Sequence, residues 1–138
     1  MSYKYLEHEA DLGLEAKGSS LNKMFEYGAI GLFNAMSDIK KVKPLKSINI
    51  KCTADEISTL YIEFLNALLA QKDITGMLFS KFEVKVSEKK PFSLKAKCYG
   101  EKFDAKKHKA KTEVKAATYF GLKYVHDKDY KITCVLDL

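Results

Sequence analysis

The amino-acid sequence predicts an α+β domain, in which two helices pack against a mixed, largely antiparallel sheet that is strongly bent or partly closed. The prediction rests on the order of the patterned segments: two strands, a helix, a strand, a second helix and then four strands. Short turns separate most of them, as is typical of antiparallel strands. The length of 138 residues, with 46% hydrophobic and 30% charged residues, indicates a single domain over residues 1–138.

The first third of the chain predicts a hairpin and a helix. Strands are expected at Tyr3–Glu7 and Leu12–Lys17, because apolar and polar residues alternate there and Gly18 ends the pattern. Ser19 or Ser20 can then cap a helix. Its apolar face is formed by residues with helical spacing, namely Leu21, Met24, Phe25, Gly28, Leu32 and Met36.

A strand and the second helix follow a lysine-rich loop. The strand is predicted at Ser47–Cys52, and Thr53 or Asp55 is expected to cap the helix that comes next. Gly76 marks the loop after that helix. The buried side of the helix is predicted to comprise Ile57, Leu60, Phe64, Leu65 and Leu68.

The remaining strands are predicted at Phe79–Val86, Phe92–Tyr99, Glu113–Phe120 and Tyr130–Leu136. The first two of these form a plausible hairpin, because a short polar turn with a proline joins them. Their alternation predicts an inward face made of Phe82, Val84, Val86, Phe92, Leu94, Ala96 and Cys98.

Acidic residues gather at the first predicted turn, where Glu7, Glu9 and Asp11 occupy alternate positions and would share one face of an extended segment. Asp137 on the last strand and the main-chain or terminal oxygens of Leu138 offer further ligands. If the two ends of the chain met, these oxygens could bind Ca²⁺, Mg²⁺ or Mn²⁺. The spacing leaves the question open, because an ordinary solvated acidic turn also explains the first cluster.

Every one of the 24 positively charged side chains is a lysine, and the net charge is +6. The lack of arginine argues against a sequence-specific nucleic-acid reader, since bidentate phosphate and base contacts are arginine chemistry. The densest basic stretch, residues 101–115, holds six lysines. It could contact tRNA phosphates or an acidic protein surface, although a solvated loop is the commoner explanation for such runs.

The histidine and cysteine residues indicate a functional site less clearly than the acidic residues do. His8 could be a general base, a metal ligand, a partner contact or a histidine anchored by hydrogen bonds. Cys52, Cys98 and Cys134 lack C-x-x-C spacing and lie in alternating segments, so we expect buried thiols. Neither a catalytic motif nor a signal peptide or membrane span is recognisable. We therefore expect a cytoplasmic protein without enzymatic activity of its own.

Several motifs are informative when they are compared together with known families. They are Glu7 to Gly13, Phe64 to Leu69, Gly100 to His108, Thr112 to Tyr119 and the ending Val135 to Leu138. Together they resemble the archease family, because they match in the right order over the length of the chain. The resemblance implies a protein that activates an RtcB-type RNA ligase in tRNA splicing, by promoting guanylylation and repeated turnover of the ligase.

The resemblance also implies a bound divalent cation, with Ca²⁺ first and Mg²⁺ or Mn²⁺ as alternatives. Its ligands would come from Asp11, Asp137 and Leu138. The alternative function is a chaperone-like modulator of a tRNA methyltransferase or another tRNA-processing enzyme, an older role proposed for the family. A metal-dependent enzyme that uses the carboxylates to activate water is a third hypothesis.

Supporting or partner-contact roles are expected for His8, Glu9, Glu113 and Lys115. The family's first motif usually reads Asp-His-Thr-Ala-Asp, so Glu9 is an additional acid that could strengthen the cation site or change its preference. Lys111 stands where the family usually has a glycine, which bears on the geometry of the adjoining loop.

Overall fold

The computed structural model describes residues 2–8 and 11–138, which form seven strands and two α-helices. The elements in chain order are β1 (Ser2–His8), β2 (Asp11–Gly18), α1 (Leu21–Met36), β3 (Lys46–Ala54), α2 (Ile57–Thr75), β4 (Met77–Ser87), β5 (Phe92–Lys102), β6 (Ala116–His126) and β7 (Tyr130–Asp137). A short 3₁₀ turn, Ile39–Lys41, follows α1. Among these residues, neither α-helix has the apolar stretch that a membrane span requires.

The strands are divided between two antiparallel sheets, and neither sheet is closed over the described residues. The four-stranded sheet has the order β1-β2-β7-β6, and the three-stranded sheet has the order β3-β5-β4. Both helices pack against strands of both sheets. The predicted α+β class and its two helices are confirmed, with two sheets in place of one bent or partly closed sheet.

Helix α1 also covers the outer edge of β4. It begins after Ser20, whose side chain accepts a hydrogen bond from the N–H of Lys23. From its first turns, Asn22 and Glu26 reach the edge strand, and their side-chain oxygens accept the backbone N–H groups of Val86 and Val84, each at 2.9 Å. Edge amides that would otherwise be open to another chain are thereby satisfied.

Helix α2 begins one residue later than its predicted caps allow. Thr53 lies in β3 and Asp55 in the bend that follows, while Glu56 occupies the cap position without a side-chain cap bond. The start of α2 therefore depends on packing against both sheets more than on capping. The end agrees with the prediction, because Gly76 adopts a left-handed conformation with φ of 69°.

The two helices approach each other closely at Gly28, which lies against Tyr61 of α2. A Cβ at this position would overlap the tyrosine ring, so the small residue sets the distance between the helices. One turn earlier, Phe25 meets the same ring edge to face, with centroids 5.3 Å apart.

The sixth strand differs from its prediction, since β6 spans Ala116–His126 and not residues 113–120. Before it, Lys111 and Thr112 donate their backbone N–H groups to carbonyls in the last turn of α1, at 2.9 and 3.2 Å. They satisfy acceptors that a helix end leaves open, which keeps this segment out of the sheet. Further on, Gly121 has φ of 65° inside an irregularity of the β6–β7 pairing, and the strand continues beyond it.

The other six strands lie where they were predicted, with ends that extend slightly further. The inward faces of the β4–β5 hairpin are confirmed as well. Their members are buried, or half-buried and packed against the core: Phe82, Val84, Val86, Phe92, Leu94, Ala96 and Cys98.

Candidate functional site

The early and late parts of the chain meet at one end of the four-stranded sheet. Strands β2 and β7 pair antiparallel, and the last residue pair of the ladder at this end is Leu12 with Leu136. The next residue outward on each strand is an aspartate, Asp11 on β2 and Asp137 on β7. The two predicted carboxylate ligands therefore lie at the same end of neighbouring strands, although 126 positions separate them in the sequence.

The outer strands extend this arrangement into a row across the sheet. His8 of β1 pairs with Asp11, and Ala116 of β6 pairs with Asp137. The backbone N–H of Lys115 donates to the carbonyl oxygen of Asp137 at 2.8 Å. We call His8, Asp11, Asp137 and Ala116 the carboxylate row.

The two aspartates lie on the face of the sheet that points away from the helices. Side chains alternate along a strand, and the neighbouring Leu12 and Leu136 belong to the core side. Residues directly opposite each other on antiparallel strands share a face. Asp11 is half-buried and Asp137 is exposed, so both carboxylates can be reached from solvent.

For Glu7 and Asp11 the predicted common face is wrong, because the pairing of β1 with β2 places them on opposite faces. Glu7 pairs with Leu12 and so shares its face, whereas Asp11 points to the opposite face. The prediction assumed an extended segment, but β1 and β2 are antiparallel strands, with His8 opposite Asp11. Glu9 lies outside the described residues, and so does the side chain of His8.

Leu138 brings main-chain oxygens next to the carboxylates. It follows Asp137 directly, and its half-buried side chain packs against the hydrophobic core. This packing restricts the last peptide unit, because removing the leucine side chain from the core would expose apolar surface.

The donor set fits a hard cation that keeps some of its water. Two carboxylates and main-chain oxygens are the ligand types of Ca²⁺ and Mg²⁺. Within residues 2–8 and 11–138, no group of three or more histidine, cysteine, aspartate and glutamate side chains is placed to hold a metal ion. Main-chain oxygens and water would therefore have to complete the coordination shell, which does not suit a four-ligand zinc site.

Strand β6 is held beside the carboxylate row by a side chain of α2. The amide of Asn66 donates to the carbonyl of Ala117 at 3.0 Å, and the N–H of Ala117 donates back to the side-chain oxygen at 2.8 Å. Ala117 is buried and pairs with Leu136, one position inward from the row. Asn66 thus positions the edge strand as a neighbouring strand would. No sequence pattern predicted this role, because a single asparagine among the apolar residues of a helix has no distinctive spacing.

The connection from β5 to β6, residues 103–115, contains most of the predicted lysine-rich stretch and is anchored to the fold. Its anchor is Glu101, whose carboxylate accepts hydrogen bonds from the ammonium of Lys107 at 2.8 Å and from the backbone N–H of Lys43 at 2.8 Å. The nearby His108 contributes a third contact at 3.0 Å. These hydrogen bonds lower the pKa of Glu101 to about 2. The bond from Lys107 has the largest effect, followed by those from Lys43 and His108.

His108 is a buried part of this anchor. Only 1% of the residue is exposed, and its Nδ1 accepts the backbone N–H of Asp104 at 2.9 Å. Because Nδ1 is an acceptor, Nε2 carries the proton and donates to Glu101. No sequence pattern indicated this role, since the histidine follows a run of polar residues.

The two remaining predicted support residues lie near the end of the same connection. The side chains of Glu113 and Lys115 are both exposed. Glu113 lines a cavity of about 450 Å³ that Lys111 and Lys72 also border. The structure thus brings the backbone of Lys115 to the carboxylate row and places Glu113 at a separate cavity.

The three cysteines are free thiols within the fold. Burial raises the pKa of Cys98 and of Cys134 to about 12, and it also raises the pKa of the half-buried Cys52. The prediction of buried thiols is confirmed for Cys98 and Cys134. Protonated thiols are poor nucleophiles and poor metal ligands.

The fold and its motifs can be compared with known proteins. The profile of the Archease protein family (MTH1598/TM1083) matches residues 3–138. A curated relative named Protein archease, from Sulfurisphaera tokodaii, is 39% identical over 137 residues, which cover 99% of this chain and 98% of that protein. This chain belongs to the archease family. The resemblance noted in the sequence is thereby confirmed.

Solved archease-family structures share the fold. The solution structure of protein 1598 from Methanobacterium thermoautotrophicum has a TM-score of 0.88 and 30% identity, and the match covers 99% of both chains. A crystal structure from Thermotoga maritima, described as an archease and possible chaperone, has a TM-score of 0.64 and 20% identity, covering 98% of this chain and 96% of that one. At that identity the second match bears on the fold alone.

Replacing Asn66 with alanine should lower the free energy of unfolding by about 1–3 kcal/mol, because the buried N–H and carbonyl of Ala117 lose their partners. Native-state hydrogen exchange should show faster exchange of the Ala117 amide. The exposed Asn49 of β3 provides the control, since Asn49→Ala should change stability by no more than about 0.5 kcal/mol. Equal effects of the two variants would contradict the positioning role assigned to Asn66.

The Glu101 anchor should make stability depend on pH in one direction. Its pKa falls from 4.5 to about 2 on folding, so its contribution is complete above pH 4.5 and is lost as the pH drops towards 2. Urea denaturation of the wild type and of Glu101→Gln should therefore show a stability difference at neutral pH that shrinks progressively below pH 4.5. A difference that stays constant across this range would contradict the assignment.

Proposed function

We propose that this protein activates an RtcB-type RNA ligase in tRNA splicing, promoting guanylylation and repeated turnover of the ligase, and that the carboxylate row binds the divalent cation required for this role. The observation that carries the proposal is the β2–β7 register, which brings Asp11 and Asp137 to one end of the sheet. Membership of the archease family supports the choice of partner, because this activity is what the family resemblance implies.

Asp11, Asp137 and the main-chain oxygens of Leu138 would hold the cation, with Ca²⁺ as the first candidate. A bound divalent cation would offset the repulsion of the two carboxylates, and coordination positions that the protein leaves to water could take phosphate oxygens at the sheet end. The strands on both sides fix the backbone of these residues, so the site is rigid before the partner arrives.

The reaction itself belongs to the ligase in this proposal. The raised pKa values of Cys98 and Cys134 support a non-catalytic role, because they disfavour the thiolate forms. An activator needs a surface that fits its partner, not a nucleophile of its own.

A chaperone-like role towards a tRNA methyltransferase or another tRNA-processing enzyme is the second candidate. The Thermotoga maritima neighbour is described as a possible chaperone. One surface feature favours such a role: Tyr119 and Phe120 on β6 are 53% and 67% exposed, and aromatic residues are enriched where proteins bind each other. Capture of a methyltransferase from cell extract in place of the ligase would support this candidate.

Removing either carboxylate should abolish stabilisation by Ca²⁺. A ligand that binds only the folded state stabilises it by about 2.7 kcal/mol at a concentration one hundred times its Kd. The melting temperature of the wild type should therefore rise with added Ca²⁺, while the melting temperatures of Asp11→Asn and Asp137→Asn should not. In the absence of the cation, both variants should be at least as stable as the wild type, because the carboxylates repel each other.

Glu88→Gln is the matched control, since Glu88 is an exposed acid of the β4–β5 turn. This variant should keep the full Ca²⁺ response of the wild type. Loss of the response in the control, or its survival in both aspartate variants, would exclude the carboxylate row as the cation site.

The activator role is tested by guanylylation of a cognate RtcB-type ligase with GTP and Mn²⁺ over several rounds of RNA joining. We expect strong stimulation by the wild type and by Glu88→Gln, and loss of stimulation with Asp137→Ala. Stimulation that survives in Asp137→Ala would separate the activity from the carboxylate row. No stimulation by the wild type would remove the activator proposal.

A further inference from the structure

The outer face of the three-stranded sheet is densely basic. Residues on its central strand β5 alternate between buried positions and the exposed Lys95 and Lys97. The flanking strands present further lysines on the same face, because residues opposite each other in the pairing share a face. The five lysines of this surface, which we call the lysine face, are Lys51, Lys81, Lys85, Lys95 and Lys97.

Three of these lysines stand in one line across the sheet. Lys95 pairs directly with Lys51 of β3 on one side and with Lys85 of β4 on the other. Directly opposed side chains have Cβ atoms about 5 Å apart, and like charges at this distance destabilise a sheet. The fold therefore places two repulsive pairs side by side on its surface.

Nearby acids do not neutralise this line. Among the described residues, the salt bridges do not include Lys51, Lys85 or Lys95. One acid, Glu83, shares the face, but it lies opposite Lys97, outside the line, and its carboxylate accepts a hydrogen bond from the hydroxyl of Tyr99. The lysines of this face outnumber the acid, so the line keeps an excess of positive charge that can attract an anion from outside.

An aromatic ring lies among the lysines. Tyr99 is half-buried on β5, with the ammonium groups of Lys81 and Lys97 at 5.1 and 5.5 Å from its ring centroid. These contacts hold the two lysine side chains near the ring. A nucleobase that takes the place of one of these two ammonium groups can stack on the ring.

We infer that the lysine face binds single-stranded nucleic acid, with Lys51, Lys85 and Lys95 on consecutive phosphates and Tyr99 beside a base. The three strands give a strip about 10 Å wide between its outer lysines, which suits a single phosphate backbone. Neither base-specific nor sugar-specific contacts are required. This inference concerns a different sheet from the carboxylate row and does not depend on the proposed cation site.

Other anionic partners fit the surface less well. A membrane surface needs apolar side chains that enter the lipid, and none of the exposed large apolar residues of the described chain belongs to β3, β4 or β5. The carboxylates of an acidic protein could pair with the lysines, but they offer no planar group to stack on the ring of Tyr99. A flexible polyanion can follow the line of charges at little cost.

The first test measures fluorescence anisotropy of a labelled oligouridine of about twelve nucleotides, with KCl varied from about 20 to 200 mM. The variant is Lys51→Gln/Lys85→Gln/Lys95→Gln. Its affinity at low salt should fall by at least about tenfold, and the slope of log K against log salt should become less steep by about 2, as expected for three lost phosphate contacts. An oligothymidine of equal length shows whether RNA is preferred over DNA.

A charge-matched variant separates a built surface from general attraction. Lys106→Gln/Lys109→Gln/Lys128→Gln removes the same charge from exposed positions outside the sheet, two of them in the lysine-rich connection. It should retain wild-type binding within about threefold. Equal losses in the two triple variants, or a loss in this one alone, would overturn the inference.

Measurements on two further variants complete the test. Tyr99→Leu should weaken binding about tenfold without changing the salt slope, since stacking involves no counterion release. Lys95→Gln should leave the free energy of unfolding unchanged or higher, because it relieves two repulsive pairs. Tighter binding to polyglutamate or to phosphatidylserine vesicles than to oligouridine would replace nucleic acid with that partner, and no binding by the wild type would reject the surface altogether.

Discussion

The antiparallel pairing of β2 with β7 is the constraint on which the molecule depends. It joins the second strand of the chain to the last one, and it places β7 between β2 and β6. The inward side chains of β7, Ile132, Cys134 and Leu136, are fully buried, so the pairing is fixed by the core as well as by the ladder. A slip of one residue would turn these side chains to solvent and move Asp137 out of line with Asp11.

Both helices act on sheet edges as well as on the core. Asn22 and Glu26 of α1 satisfy amides of β4, and Asn66 of α2 pairs with both backbone groups of Ala117 in β6. These side chains take the place of further strands. Two outward surfaces with opposite charge remain on different sheets, the carboxylate row and the lysine face. The proposed cation binding and nucleic-acid binding can therefore be removed by separate substitutions.

Local patterns predicted most of the fold, because alternation and helical spacing report directly on burial. The predicted boundaries of β6 were wrong, because the backbone N–H groups of Lys111 and Thr112 bond to the end of α1 and keep this strand-like segment out of the sheet. Asp11 and Asp137 were identified from their oxygen chemistry and the family resemblance, but only the register places them together. The sequence could not predict the bonds of Asn66, because they depend on which strand α2 packs against. It could not predict the line of lysines either, because that depends on which strands pair and in which register.

Anomalous diffraction from crystals of the full chain grown with Mn²⁺ would show whether a divalent cation binds between the ends of β2 and β7, because it locates the metal itself. We expect an anomalous peak in contact with the carboxylates of Asp11 and Asp137, and its disappearance in crystals of Asp137→Asn. A peak bound elsewhere, or an intact peak in the variant, would rule out this cation site.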